Sequence, residues 1–222
     1  MIEEEKYKDL INLAIAKNWG YQGKERFRDY FFPFISKYFK VFENSLNVLD
    51  IGCCSGIISL AISEYSRKCT GIEYNSNFAS HFNYIKERYE ANIDIFNTDI
   101  ESFIKINSKD IEFDALFASN ILYHLDNNTI SLLKEKVLPR CEKVLLFSRE
   151  NKPKLKNNYG LHKWENVSDL LKSSGFEVKR LDTVKNVHTD YTTSYEKVNR
   201  KVEMTHTDSV LIPIYGYRKN KE

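Results

Sequence analysis

No stretch of this sequence is apolar for long enough to cross a bilayer, and no short hydrophobic segment of the secretory kind precedes its first helical pattern. A membrane protein and an exported one are both disfavoured, and a reduced, cytoplasmic protein is expected. Cysteine is scarce too. The thiols are Cys53, Cys54, Cys69 and Cys141, and the adjacent pair fits no zinc spacing, so no metal centre is expected. Cys53 reads as a small apolar packing residue rather than a nucleophile. An excess of one charge is also missing. The 33 basic side chains against 31 acidic ones leave a net charge of +2, which creates no bulk demand for nucleic acid or membrane. The densest basic patch, Lys152-Pro153-Lys154-Leu155-Lys156, has the composition of a solvated loop. There is no internal repeat, no zinc finger and no other recognisable RNA-binding appendage. Nucleic acid is disfavoured as a partner on these grounds, though not excluded.

What remains is a chain of 222 residues, long enough for one domain or one domain with a cap. A chain of that size can bury roughly 70–75% of its unfolded surface. Residues 2–17 place Tyr7, Leu10, Ile11, Ala14 and Ile15 on one helix face. A glycine-broken aromatic turn follows, Asn18-Trp19-Gly20-Tyr21-Gln22-Gly23. A second helical stripe then runs through Phe27, Tyr30, Phe31, Phe34, Ile35 and Tyr38, and Pro33 should kink or divide it. From residue 46, apolar runs near 46–51, 69–73, 93–97, 113–119 and 143–149 alternate with helical patterns near 57–66, 76–90, 100–106 and 127–137. That alternation predicts an α/β domain with helices on both faces of a parallel sheet. A helix near 164–174 and a strand from Gly175 to Leu181 come next. The last strand, Ser209 to Arg218, contains Pro213, which predicts an edge or a bulge there. Residues 183–208 are polar and read as a long insertion loop. The expected organisation is a single domain over 1–222: a helical cap over 1–45, a core over 46–182, the insertion loop, and a final strand over 209–222.

The run from Leu46 to Leu60, LNVLDIGCCSGIISL, carries the most information. It reads as a buried strand that delivers a tight turn, with Gly52 and Gly56, to a helix starting at Ile57. Backbone without a Cβ turns sharply and lets a ligand come close, and such a turn at the carboxyl edge of a parallel sheet builds a ligand site. A dinucleotide site would want G-x-G-x-x-G, and positions 54 and 57 are Cys and Ile. A plain strand-to-helix turn of some other α/β protein is the bland alternative. The run Val48-Leu49-Asp50-Ile51-Gly52-Cys53-Cys54-Ser55-Gly56 resembles motif I of the class I S-adenosylmethionine-dependent methyltransferases, with Cys54 where a middle glycine is usual. Three further motifs follow in the family's order, each at a predicted strand end. Cys69-Thr70-Gly71-Ile72-Glu73 ends in a carboxylate. Ile93 to Phe96 leads into Asn97-Thr98-Asp99-Ile100. Phe113 to Ser119 continues into Asn120-Ile121-Leu122-Tyr123-His124-Leu125-Asp126, with the His-Leu pair of the family's fourth motif. The resemblance covers residues 46 to about 150. It implies a Rossmann-like, doubly wound, mostly parallel seven-stranded sheet with an antiparallel last strand and an N-terminal helical addition.

The resemblance also implies S-adenosylmethionine as cofactor and assigns roles by position. Asp50, Gly52, Cys53, Cys54 and Gly56 wrap the methionine end, with Asp50 acting on the amino group through water or backbone. Glu73 takes the ribose hydroxyls, and Tyr74 lies beside the adenosine. Asp99 takes the adenine amino group and Ile100 covers the ring. Ser119 and Asn120 lie close to the methyl group. Structural alternatives stand beside these roles: Asp50 capping the next turn, and Asp99 N-capping the helix that follows. His124 is the candidate base, because an imidazole near its ordinary pKa of ~6.5 accepts a proton at neutral pH. Packing of the fourth strand against the next helix is its alternative. Functional residues gather on loops at one sheet edge. That rule adds Arg149, Glu150, Asn151, Tyr159, His162 and Trp164 as residues facing the methyl acceptor, and Trp19, Tyr21 and Gln22 as residues closing over the site.

The acceptor is approached by elimination. No Asp/Asn-Pro-Pro-Tyr-like motif follows the fourth strand, which disfavours an exocyclic base amine, and the near-neutral charge disfavours tight binding to a nucleic-acid backbone. A small molecule or a glycan sugar is the expected acceptor, and a hydroxyl the expected atom, since His124 is available as a base. An RNA methyltransferase working with a partner, and a catalytically silent cofactor-binding subunit, are the alternatives.

Overall fold

A computed structural model describes residues 4–17, 32–150, 164–181, 192–197, 200–205 and 210–218. Trp19, Tyr21, Gln22, Asn151, Tyr159 and His162 lie outside the described residues. The strands are β1 (Val48–Ile51), β2 (Cys69–Ile72), β3 (Ile93–Phe96), β4 (Ala115–Ser119), β5 (Lys143–Glu150), β6 (Glu177–Arg180), β7 (Thr192–Lys197), β8 (Arg200–Thr205) and β9 (Val210–Tyr217). Seven of them form one sheet in the order β3-β2-β1-β4-β5-β9-β6. β1 to β5 run parallel, with Ile51 opposite both Ile72 and Ala118, and Ile72 opposite Phe96. Their carboxyl ends therefore share one rim. β9 is antiparallel to β5 and to β6.

The central strands are apolar on both faces, as strands covered on both sides must be. Val48, Cys69, Ile93, Ala115, Phe117, Leu145 and Phe147 face one cluster; Leu49, Ile51, Ile72, Leu116, Ala118, Val144 and Leu146 face the other. The first cluster is closed by α1 (Glu4–Ala16), α2 (Phe32–Ser36), a 3-10 turn at Phe39–Phe42, α3 (Ile57–Ser63) and α4 (Ser76–Tyr89). The N-terminal helical addition packs directly into that layer. Tyr7 lies against Phe32 with ring centroids 5.0 Å apart, and Phe39 meets Phe117 edge-on at 5.6 Å. Pro33 sits in the first turn of α2, where its missing N–H is tolerated. The second cluster is closed by α5 (Ile100–Ser102), α6 (Asn127–Leu132) and α7 (Trp164–Ser173). α5 widens into a π turn at Phe103–Asn107. α6 widens likewise at Leu133–Val137 and then tightens to a 3-10 turn at Leu138–Arg140. Pro139 has no N–H to offer the carbonyl four residues back, so the ordinary helical ladder cannot run through it. Among the described residues, no helix is long and apolar enough to cross a membrane.

Two sequence expectations are corrected. Pro213 is neither on an edge strand nor at a bulge: β9 lies between β5 and β6, with Pro213 opposite Phe147. Its carbonyl accepts from Leu181 N at 3.0 Å, so its ring nitrogen faces the same way, one residue beyond the end of β6 at Arg180. The missing donor falls where the β6 ladder stops. The second correction concerns the insertion expected as a loop, where β7 and β8 pair antiparallel from Thr192 opposite Thr205 to Lys197 opposite Arg200. The signal was a period of two in a segment that reads as polar when averaged.

Candidate functional site

The loop after β1 bends three times into the left-handed region: φ is 74° at Gly52, 50° at Cys54 and 87° at Gly56. Gly52 N and Cys53 N both donate to the carbonyl of Ile72, at 2.9 and 3.2 Å, which ties the bend to the end of β2. Gly56 N donates to Cys53 O at 3.0 Å and passes the chain into α3. The bend rests on a ring. A Cβ placed on Gly56 would lie 2.4 Å from Phe82 Cδ2, and one placed on Gly71 would lie 2.5 Å from Cys53 Sγ and 2.9 Å from Phe82 Cε2. The left-handed backbone at Cys54 explains why glycine is the usual residue there. Burial pushes the Cys53 thiol up and takes Cys54 up to about 12, so both stay protonated and neither acts as a nucleophile.

Glu73 follows β2 and is 4% exposed. Its Oε2 accepts from Cys54 N at 3.1 Å and its Oε1 from Asn75 N at 2.9 Å, so one carboxylate joins the bend to the start of α4. Asn97, at the end of β3, donates from Nδ2 to Glu73 O at 2.8 Å. Tyr74 beside it is an aromatic side chain 77% exposed on the rim. Asp50 points away from the rim, under the bend. It is 1% exposed, and its Oδ2 accepts from Ser59 Oγ of α3 at 2.6 Å. Burial raises its carboxyl to about 7, the Ser59 hydrogen bond lowering it and the Glu73 charge adding to the rise. The turn-capping alternative for Asp50 is thus replaced by a bond to the helix behind the loop.

Asp99 is exposed and does N-cap α5, its Oδ1 accepting from Ser102 N at 2.8 Å. That bond holds its carboxyl below the ordinary range. The cap uses one carboxylate oxygen, so it does not compete with a second partner on the other. Ile100 is half-buried next to it. After β4 the chain turns through Asn120 at φ 57°, with Asn120 N still bonded to Phe147 O at 2.9 Å. Asn120 Nδ2 donates to Ser119 Oγ at 3.2 Å. This turn faces the β1 bend, since a Cβ on Gly52 would lie 3.2 Å from Ile121 Cγ1. His124 is exposed on the 3-10 turn Leu122–His124. Arg149 and Glu150 are the last two residues of β5, opposite Leu211 and Val210. Trp164 is the first residue of α7.

The rim thus brings together Gly52, Cys54, Gly56, Glu73, Tyr74, Asp99, Ser119 and Asn120, with Asp50 and Cys53 beneath. Phe82, Gly71, Asn97 and Ile121 were not singled out from sequence. The helical spacing of Ala79, Phe82 and Ile85 marks a core face, but nothing local shows that the ring of Phe82 meets two glycines of different elements.

The model of the methyltransferase domain family matches residues 48–145. Among solved structures, magnesium protoporphyrin IX methyltransferase ChlM from Synechocystis, with S-adenosylmethionine bound, is 10% identical at a TM-score of 0.59, covering 99% of this chain and 98% of its own. N-methyltransferase NodS from Bradyrhizobium japonicum, with S-adenosylhomocysteine, is 13% identical at a TM-score of 0.58, over 96% and 99%. EvdMO1 is 17% identical at a TM-score of 0.56 over 82% of this chain, which spans only 39% of EvdMO1. At these identities the likeness is one of fold. No curated protein sequence matches the chain.

Proposed function

We propose that this chain is a class I S-adenosylmethionine-dependent methyltransferase, the reading that the matched family model and the shared fold support, and that it methylates a hydroxyl of a small molecule or of a glycan sugar. The observation that carries the hydroxyl reading is the exposed His124, on the turn that leaves β4 four residues after Asn120. The residues of the rim fit the cofactor. Left-handed bends at Gly52 and Gly56 leave room for a close approach. The buried carboxylate of Glu73 and the exposed carboxylate of Asp99 end adjacent strands. The rim's formal charge is negative, as a cationic ligand requires.

Bound there, S-adenosylmethionine supplies a methyl group on a sulfonium, already set for transfer. Glu73 receives the ribose and Tyr74 lies beside the adenosine. Asp99 receives the adenine amino group and Ile100 covers the ring. Gly52, Cys53 and Cys54 border the amino-acid end. What the chain must add is position, since orientation of two reactants is worth roughly 7–11 kcal/mol. His124 takes the hydroxyl proton as the oxygen attacks. Arg149, Asn151, Tyr159, His162, Trp19, Tyr21 and Gln22 complete the acceptor pocket in this reading. A sugar acceptor is in keeping with the N-terminal domain of EvdMO1, whose structure was determined in the presence of S-adenosylhomocysteine and D-fucose.

Glu73→Gln keeps the volume but turns an amide NH2 toward one of the two backbone donors that the carboxylate accepts. S-adenosylhomocysteine affinity, read by calorimetry, is expected to fall roughly 10- to 100-fold. Unchanged affinity would remove Glu73 from the ribose site. For the acceptor, the protein is incubated with methyl-labelled cofactor and fractionated cell extract. Label is expected in small metabolites or glycans, and label in RNA would overturn the acceptor class. Once an acceptor is in hand, His124→Ala is expected to lower turnover roughly 10²- to 10⁴-fold with S-adenosylhomocysteine affinity intact. Equal turnover would end its role as base.

A further inference from the structure

Asp99 follows β3 and His124 follows β4, and β2 and β1 lie between those two strands in the sheet. At the ordinary strand spacing their carboxyl ends stand about 14 Å apart. The strand ends themselves therefore do not fix one residue relative to the other. The helices that follow them do. α5 starts at Ile100, directly after Asp99, and α6 starts at Asn127, on the chain that leaves the His124 turn.

The first turns of these two helices are joined. Glu101 Oε1 accepts from Asn128 Nδ2 at 2.7 Å, a bond between residues 27 apart in the chain. The same oxygen accepts from Lys105 Nζ at 2.5 Å. Lys105 acts on α6 as well. The Asp126 carboxyl is held below the ordinary range chiefly by Thr129 N–H, and the Lys105 charge lowers it further. Asp126 caps α6 through Thr129 N at 2.7 Å, as Asp99 caps α5 through Ser102 N. Two N-caps and the pair between them thus form one polar strip beside the rim. Neither helix holds its first turn in place with a long α ladder. α5 is α-helical over Ile100–Ser102 and α6 over Asn127–Leu132 before each widens into its π turn, and π turns are frequent at functional sites. Under the strip, Phe103, Ile104, Leu133 and Val137 are buried in one cluster. An exposed pair of this kind adds little to stability. What it adds is geometry, because coupling between two sites runs through such contacts.

We propose that Glu101 is a positioning residue: through Asn128 it sets the turn that carries His124 relative to the segment that receives the adenine, so that cofactor bound at Asp99 and Ile100 is felt at His124. The inference rests on the cofactor and base reading above and adds to it a named link between the two ends of the site.

The test reads the His124 imidazole by NMR in the full chain, its signal identified by its loss in His124→Ala. S-adenosylhomocysteine is expected to shift that signal in the wild-type protein. Glu101→Ala is expected to lose the shift, while its S-adenosylhomocysteine affinity, read by calorimetry, stays within about fivefold of wild type. Glu101→Gln keeps an acceptor oxygen for Asn128 Nδ2 and is expected to keep the shift. Asn128→Asp sets two carboxylates against each other and is expected to lose it. Combining Glu101→Gln with Asn128→Asp reverses donor and acceptor, and the shift is expected to return. Methyl transfer into fractionated extract is expected to follow the same order, roughly 10-fold lower in Glu101→Ala and restored in the reversed pair. A shift that persists in Glu101→Ala or in Asn128→Asp overturns the inference, since the ligand then acts on His124 without the link. A wild-type signal that S-adenosylhomocysteine leaves in place overturns it, as does a reversed pair no better than Asn128→Asp alone. Loss of S-adenosylhomocysteine binding in Glu101→Ala overturns it too, because Glu101 would then serve the cofactor site itself. Wild-type protein that binds no S-adenosylhomocysteine overturns the cofactor reading, and this inference with it.

Discussion

Replacing Gly56 by alanine is expected to lower the free energy of unfolding by about 2–5 kcal/mol, through two independent effects that fall on one atom. The left-handed backbone at Gly56, φ 87°, disfavours any L side chain. The new methyl would also lie 2.4 Å from Phe82 Cδ2 and 2.9 Å from its Cγ and Cε2. Phe82 has no room to yield, since it is fully buried in the layer that also holds Cys53, Ile57 and Ile85. Against a typical total stability of about 5–15 kcal/mol, the loss threatens the fold as a whole. Gly52→Ala offers the contrast. Its φ is also left-handed, 74°, but the nearest atoms are the flexible end of Ile121 at 3.2 and 3.3 Å. That variant is expected to lose only about 1–2 kcal/mol of stability. Its larger effect falls on ligand approach, which it narrows. Urea denaturation of both variants reads the difference, and equal midpoints for Gly56→Ala and wild type would show that Phe82 does not underlie the bend.

Asp50→Asn is expected to change the pH dependence of stability more than its stability at any single low pH. In the folded chain burial raises the Asp50 carboxyl from 3.8 to about 7. Between roughly pH 4 and pH 7 the folded chain therefore holds a proton that the unfolded chain has released. Stability falls as pH rises through that window and levels off above it. A shift of about three pKa units corresponds to about 4 kcal/mol between the two ends. The carboxyls of Asp94, Asp99 and Asp126 are held below the ordinary value by Lys68 and Lys86, by Ser102 and by Thr129 respectively. Their contributions are gained below pH 4, outside the window. Asparagine keeps an acceptor for Ser59 Oγ and cannot ionise. Subtracting the two stability curves, measured by denaturation from pH 4 to pH 8, should give an advantage for the variant that grows with pH. A flat difference would mean that Asp50 is not buried on Ser59. On the proposed cofactor reading the bend above Asp50 receives a cationic group, and an ionised carboxylate there is a stability sacrifice of the kind functional sites make; the variant is then expected to bind S-adenosylmethionine more weakly than wild type.

The sheet was legible because its strands announce themselves. Val48 to Ile51, Ala115 to Ser119 and Val144 to Phe147 are short apolar runs between helical patterns, as strands buried on both faces must be. The bend at Gly52 to Gly56 and the carboxylates of Glu73 and Asp99 were legible for a related reason: each stands at the end of such a run. Long-range consequences were not legible. Glu73 carries two backbone donors from different elements, and Phe82 closes against glycines of the loop and of β2; both depend on sheet order and helix placement. Pro213 misled because the rule about proline concerns the side its nitrogen faces. The fold turns that nitrogen toward Leu181, one residue past the end of β6, where no ladder donor is called for even though the strand is internal. The hairpin of β7 and β8 was missed because alternation of Thr193, Tyr195, Val202 and Met204 with charged residues averages to a polar composition.

The most direct measurement is a crystal structure of the protein grown with saturating S-adenosylhomocysteine. The nucleoside is expected along the rim of β1, β2 and β3, its ribose on Glu73, its adenine between Asp99 and Ile100, and its amino-acid end between Gly52 and Asn120. A rim left empty under those conditions, or one occupied by a phosphate-bearing dinucleotide in a parallel soak, would contradict the assignment of this edge to S-adenosylmethionine.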